Sequence, residues 1–206
     1  MKGSPLKSLK KISQLKHDHP VKKFVDSRKI PSRTHFELFF APKFYSWVNT
    51  IIPNKFPSVE GDHPRLVIPF FDEDNKFFCF QGRAFGNEKP KYITLKLDPD
   101  KNKIYGLNRV DKSKHILVVE GPIDSLFLYN CVAVSFADFN KLPLDYTIIF
   151  YNERRNKELL KQIDKTIDRG YKVVLWPDNV KEKDINDMIL SGKTCLLYTS
   201  PSPRDS

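Results

Sequence analysis

Glu120 and Asp124 stand at the end of an apolar run, residues 116–119 (Ile-Leu-Val-Val), where Gly121-Pro122 interrupts it. A short all-apolar run of this kind forms a buried parallel strand, which puts Glu120 at the strand's C-terminal lip. Pro122 suits the first position of a helix, and Ile123, Leu126 and Phe127 recur at helical spacing. Asp124 then falls in the first turn, close to Glu120. Two carboxylates sharing a crevice at the C-terminal end of a parallel strand attract a hard divalent cation, usually Mg²⁺. A strand-end Glu and an acid at a helix N-terminus also have a plainer use, as caps.

The elements that must position these acids follow from periodicity. Residues 131–136 and 146–151 read as strands, and residues 153–169 as a helix with Leu159, Leu160, Ile163 and Ile167 on one face and Gly170 as its C-cap. Residues 171–176 give the next strand. Alternation of this kind implies a mostly parallel sheet with helices on its faces. Glu153, Asp184 and Asp187 follow later strands, so they can converge on the site of Glu120.

The spacing Glu120-Gly121-x-x-Asp124 after an apolar strand resembles the signature of the Toprim domain. Upstream, Ile68-Pro69-x-x-Asp72, Gly82-Arg83, Pro90-Lys91-Tyr92 and Tyr105-Gly106-Leu107 occur in that order. Together they resemble the segment preceding the Toprim motif in bacterial replicative DNA primases. Asp18-His19-Pro20, Arg28-Lys29-Ile30-Pro31 and Ala41-Pro42-Lys43-Phe44 are most similar to tailed-phage members. The resemblance covers about residues 18–192.

It implies an α/β architecture: a Toprim-type, mostly parallel sheet flanked by helices and preceded by a smaller α+β basic subdomain. The expected divisions are a basic segment at 1–58, a small α+β subdomain at 59–111, the Toprim domain at 112–194 and a non-native tail at 195–206. The implied activity is metal-dependent synthesis of short RNA primers on single-stranded DNA, with Glu120, Asp124 and Glu153 catalytic. Glu120, Glu153, Asp184 and Asp187 would hold Mg²⁺ or Mn²⁺, and Glu120 is alternatively a general base. Arg83 and Lys91 would contact template phosphates or the incoming nucleotide, with a structural ion pair as the other role for Arg83. Implied partners are a single-stranded DNA template, ribonucleoside triphosphates and a replicative helicase, with no membrane. The other readings are a Toprim nuclease and a non-catalytic nucleic-acid-binding remnant.

Two positions depart from the family pattern. Where it carries an acid two residues before Glu153, this chain has Tyr151, and a phenol with a pKa near 10 is a poor Mg²⁺ ligand at neutral pH. Asn186 stands where the family's K-D-P-D-D has an acid, and still offers a neutral oxygen.

The net charge of +10 is concentrated early: residues 1–50 hold eleven Lys and Arg against three Asp and Glu. Such a face suits a polyphosphate partner, with Lys22, Lys23, Arg28 and Lys29 as the candidate contacts, although a solvated basic segment has the same composition. Of the interleaved aromatics at Phe24, Phe36, Phe39, Phe40, Phe44, Tyr45 and Trp47, most are expected in the core. No stretch has the apolar length of a bilayer span and no secretory segment follows Met1, so a soluble, cytoplasmic protein is expected. Cys79, Cys131 and Cys195 lack the spacing of the zinc ribbon that the resemblance implies ahead of this region, which points to a fragment or to a ribbon lying elsewhere, and His17 and His19 read as a surface turn. Residues 195–205 resemble an in-frame translation of a sequencing adapter, which puts the native end of this stretch near Thr194.

Overall fold

The computed structural model describes residues 4–134, 139 and 141–193. The expected tail at 195–206, Cys195 and the end of the strand at 131–136 lie outside the described residues. The chain divides between Asn108 and Arg109 into two compact units.

In the first unit, β1 (Lys10–Lys11) precedes α1 (Pro20–Ser27), β2 (Phe39–Ala41) and α2 (Phe44–Ile51). Then come β3 (Arg65–Phe71), β4 (Phe77–Arg83), β5 (Tyr92–Lys96) and the short β6 (Ile104–Tyr105). Strands β1 to β5 form one sheet in sequence order, antiparallel throughout. Because β2 pairs with β3, this sheet spans the boundary expected at residue 58.

Three family landmarks turn out to have packing and turn roles here. Phe44 lies so close to Gly82 that a Cβ there would stand 2.3 Å from its ring. Only glycine leaves room for the ring, which joins Trp47, Val67 and Phe80 in the core. In the β3–β4 turn, Asp72 Oδ1 accepts the N–H groups of Asp74 (3.1 Å) and Lys76 (2.8 Å), while Asn75 takes a φ of 59°. The carbonyls of Pro90 and Lys91 are gripped by Arg65, which is fully buried: it donates to Pro90 O (2.8 Å), Lys91 O (3.4 Å) and Gly82 O (3.2 Å) and lies over the Phe44 ring.

The second unit contains β7 (Leu117–Val119), α3 (Pro122–Ser125), β8 (Cys131–Val134), β9 (Thr147–Ile148), α4 (Lys157–Asp168), β10 (Lys172–Val173) and α5 (Ile185–Leu190). Its strands run in the order β10-β9-β7-β8 and pair in parallel, the mostly parallel sheet expected from the alternation. Helices α3 and α4 pack on the sheet, at β7 and β8 and at β10 respectively. The chain leaves β7 through α3 to β8 on one side, then returns to place β9 on the other. The C-terminal ends of β7 and β9 therefore flank a switch point, where open α/β sheets bind ligands.

Several expected elements are shorter than the pattern implied. The helix expected from residue 153 starts at Lys157, because Asn156 Oδ1 accepts the N–H groups of Glu158 (3.1 Å) and Leu159 (3.2 Å) and caps it there. Its inner face is Leu159, Ile163 and Thr166, whereas Leu160 and Ile167 are 43% and 46% exposed. Gly170 follows in a left-handed conformation, φ 89°, as a helix stop requires. Strand β9 ends at Ile148, yet the Ile149 N–H donates to Val118 O (2.8 Å) and the Trp176 indole donates to Phe150 O (2.8 Å). Among the described residues, no helix is long and apolar enough to cross a membrane.

Candidate functional site

Glu120 follows β7, Tyr151 follows the extension of β9, Asp124 lies in α3 and Asp184 caps α5. The crevice at the switch point is lined by Glu120, Asp124, Tyr151 and Asp184 over a floor of Val119, Ile149 and Phe150. Gly121 makes room for the Asp124 carboxylate: a Cβ there would lie 2.5 Å from Asp124 Oδ2 and 3.5 Å from the Tyr151 hydroxyl.

The acids differ in their surroundings. Asp124 is buried and accepts the Asn186 N–H at Oδ1 (3.0 Å). Glu120 Oε1 is buried with no hydrogen-bond partner among the described residues. Burial first, and then the nearby charge of Asp124, push the Glu120 pKa up to about 8, against a backbone hydrogen bond from Tyr151. Asp184 Oδ1 accepts the Asp187 N–H (2.8 Å), which starts α5.

Glu153 and Asp187 are not among the residues lining this crevice. Glu153 lines a wider cleft with Asn152, Arg155 and Lys181, pairs with Lys183, and accepts from Asn156 Nδ2 (2.8 Å). The Lys183 and Asn156 hydrogen bonds hold the Glu153 pKa below its usual value. Asp187 sits in the first turn of α5. Among the described residues, no three His, Cys, Asp or Glu side chains are grouped as a ready-made metal cage. The chemistry of the crevice nevertheless fits a divalent cation, since a buried carboxylate oxygen without a hydrogen-bond partner stands beside two further carboxylates, and the nearby Lys183 charge, which pairs with Glu153, does not offset their effect on Glu120.

The basic residues in the first unit separate into inner and outer sets. Lys22 is buried, its ammonium 2.7 Å from His35 Nδ1, so it is not the surface contact that the charge run implied. Lys23 and Lys29 are exposed and Arg28 is half-buried, 5.9 Å from the centre of the Phe24 ring. Arg83 is also buried, between the rings of Phe24 (4.5 Å) and Tyr92 (5.5 Å). Its Nε donates to the Tyr92 hydroxyl (3.0 Å), while Nη1 has no partner among the described residues. Lys91 is exposed beside Tyr92. His19 caps α1 by accepting the Val21 N–H at Nδ1 (3.3 Å), consistent with a turn at residues 17–19.

Sequence reasoning missed Arg65, Asn152 and His35. An arginine opening an otherwise apolar strand was a usable signal for Arg65. Asn152 and His35 carry no such mark, because their roles depend on carbonyls and amines that the fold brings from elsewhere.

No family model matches the chain. It is 38% identical over 190 residues to the DNA primase of Enterobacteria phage T4, covering 89% of this chain and 55% of the relative, so the chain spans about half of that protein. In fold it is similar to the E. coli primase catalytic core, with a TM-score of 0.63 at 16% identity, over 90% of this chain and 72% of that one. A DnaG primase catalytic domain bound to single-stranded DNA gives a TM-score of 0.63 at 17% identity, over 90% and 71% respectively. By sequence the chain is a relative of a phage DNA primase, spanning about half of its length, and in fold it is similar to solved primase catalytic cores.

Proposed function

We propose that this chain is the catalytic-core portion of a DNA primase, joining ribonucleoside triphosphates into short primers on a single-stranded DNA template. The observation that carries this reading is the unpartnered, buried Glu120 oxygen at the switch-point crevice of a primase-like fold. Kinship implies a divalent metal, and Mg²⁺ or Mn²⁺ suits oxygen donors such as these. Glu120, Asp124 and Asp184 would hold it, with Glu153 joining only after leaving Lys183, and Asp187 only by turning into the crevice from the first turn of α5. When bound, the ion supplies charge neutralisation of the triphosphate and acidification of the attacking 3′-hydroxyl.

The chain's own residues supply the rest. Glu120, held neutral at lower pH by its surroundings, becomes an anionic ligand or proton acceptor as pH rises past about 8. Lys91 and Lys23 offer exposed charge to template or nucleotide, whereas Arg83, buried between two rings with Nη1 lacking a hydrogen-bond partner among the described residues, would reach a phosphate only once those rings part. The Toprim assignment of the second unit and a helicase partner belong to the same reading. A second reading, a remnant that binds nucleic acid without synthesis, is favoured by one observation: the Tyr151 phenol occupies the crevice beside Asp124. Incubation with single-stranded DNA, labelled ribonucleotides and Mg²⁺ or Mn²⁺ separates the readings. New oligoribonucleotides support primase, a shortened template indicates a nuclease, and binding alone indicates the remnant.

A further inference from the structure

The acid-bearing loop after β10 leaves the sheet past the Val174 N–H bond to Ile148 O. It is fastened to the exit of β9 by the Trp176 indole bond to Phe150 O and by a short polar segment, residues 152–154. Asn152 Nδ2 donates to both Val180 O (3.0 Å) and Glu182 O (3.0 Å), and the Asn152 backbone N–H donates to Lys183 O (2.7 Å). Arg154 adds a second set of stitches: Nη2 donates to Trp176 O (2.9 Å) and Pro177 O (2.6 Å), Nη1 pairs with Asp178, and Nε donates back to Asn152 Oδ1 (3.2 Å). The residue following this stitched loop is Asp184, which caps α5, and two residues further the Asn186 N–H grips Asp124.

We propose that Asn152 is a positioning residue for the carboxylate crevice, with Arg154 as its auxiliary. By fixing the carbonyls of residues 180–183, the Asn152 side chain sets where α5 begins, and hence where Asp184 and the Asn186 amide meet Asp124. No carboxylate lies in the contact itself, so Asn152 acts through the loop rather than on a ligand. The inference rests on the metal-site reading for its functional consequence, but its structural content stands apart from it.

The test uses the whole chain and two readouts. Asn152→Ala removes the two side-chain donors and keeps the backbone bond to Lys183. With both bonds lost, amide hydrogen exchange at Asn186 and Asp187 is expected to accelerate roughly thirtyfold, and Mn²⁺ affinity by electron paramagnetic resonance to weaken to a similar degree. Asn152→Asp, which keeps the side-chain volume and the acceptor for Arg154 but sets an oxygen against two carbonyls, should not rescue either readout. A folded Asn152→Ala protein with unchanged exchange at those amides would overturn the proposal, as would full rescue by Asn152→Asp. If the unaltered chain binds no Mn²⁺, the metal reading fails while exchange still decides the role of Asn152. Should Asn152→Ala not fold, Arg154→Ala at its exposed site serves instead, with a roughly threefold acceleration at the same amides expected and no change overturning the inference.

Discussion

The ammonium of Lys22 lies 2.7 Å from Nδ1 of His35, beneath the surface that the basic N-terminal sequence leads one to expect. His35 Nε2 in turn lies 2.9 Å from Ile30 O, so a neutral imidazole that accepts at Nδ1 and donates at Nε2 satisfies both partners. This pair ties α1 to the segment that follows it, and it removes one cation from any DNA-facing set.

Lys22 and Lys23 should therefore behave differently. Lys22→Ala is expected to lower stability by about 1–3 kcal/mol, because it leaves a buried acceptor unpaired, with little effect on the salt dependence of DNA binding. Lys23→Ala should leave stability nearly unchanged and flatten the slope of log affinity against log salt by roughly 0.7, one single-strand phosphate contact. Equal slope changes in the two variants would return Lys22 to the surface set.

Burial, the largest influence, holds the His35 pKa below its ordinary 6.5. The unfolded chain then binds the proton more readily, so stability should fall as pH drops below about 6.5. In a Glu120→Gln background, which removes the opposing titration of Glu120, denaturant midpoints measured between pH 7 and pH 5 should show this decline, and adding His35→Gln should flatten it. A decline of the same size in the variant would assign it to other groups.

Arg65 anchors the Pro90-Lys91-Tyr92 landmark through the carbonyls of Pro90 and Lys91 and ties it to β4 through that of Gly82. Arg65→Met should cost about 2–3 kcal/mol, since an apolar chain fills the volume but leaves those acceptors without donors. Limited proteolysis near Lys91 should accelerate more than elsewhere in the first unit. Uniform loss of protection would deny Arg65 a local anchoring role.

What the sequence made legible was largely what periodicity and punctuation encode. The apolar run before Glu120 is a strand, Pro122 does begin a helix, and Gly170 does end one. The landmarks were legible as motifs but not as causes: Asp72 builds a turn and Gly82 makes room for Phe44, neither of which is visible from spacing. Helix α4 began four residues late because a local cap at Asn156 outweighed the apolar period. Among the site acids, their order along the chain indicated that Glu120, Asp124 and Asp184 follow strands, and these three line one crevice. It could not show that Glu153 would pair with Lys183, because that choice depends on where the 180–183 loop is fastened.

Tyr151→Asp replaces the phenol in the crevice with a carboxylate. Without metal, the added charge should raise the Glu120 pKa further, and with metal it should raise affinity, since hard cations favour anionic oxygens. A Mn²⁺ titration of both proteins should show tighter binding for the variant, most evident at low metal. Identical curves would show that position 151 does not face a bound ion.

Glu120 carries a buried carboxylate oxygen that would be stabilised by a cation. Its pKa, raised by burial and by Asp124 to about 8 from 4.5, means that the folded chain holds a proton that the unfolded chain releases. Stability without metal should thus decline as pH rises from about 4.5 to 8, and saturating Mn²⁺ should reverse that decline by binding the anion. The most direct measurement is Mn²⁺ binding at pH 8, followed by electron paramagnetic resonance, on the unaltered chain and on Glu120→Gln. The expected result is saturable binding that the glutamine variant loses while remaining folded. Equal binding by both proteins would contradict the account.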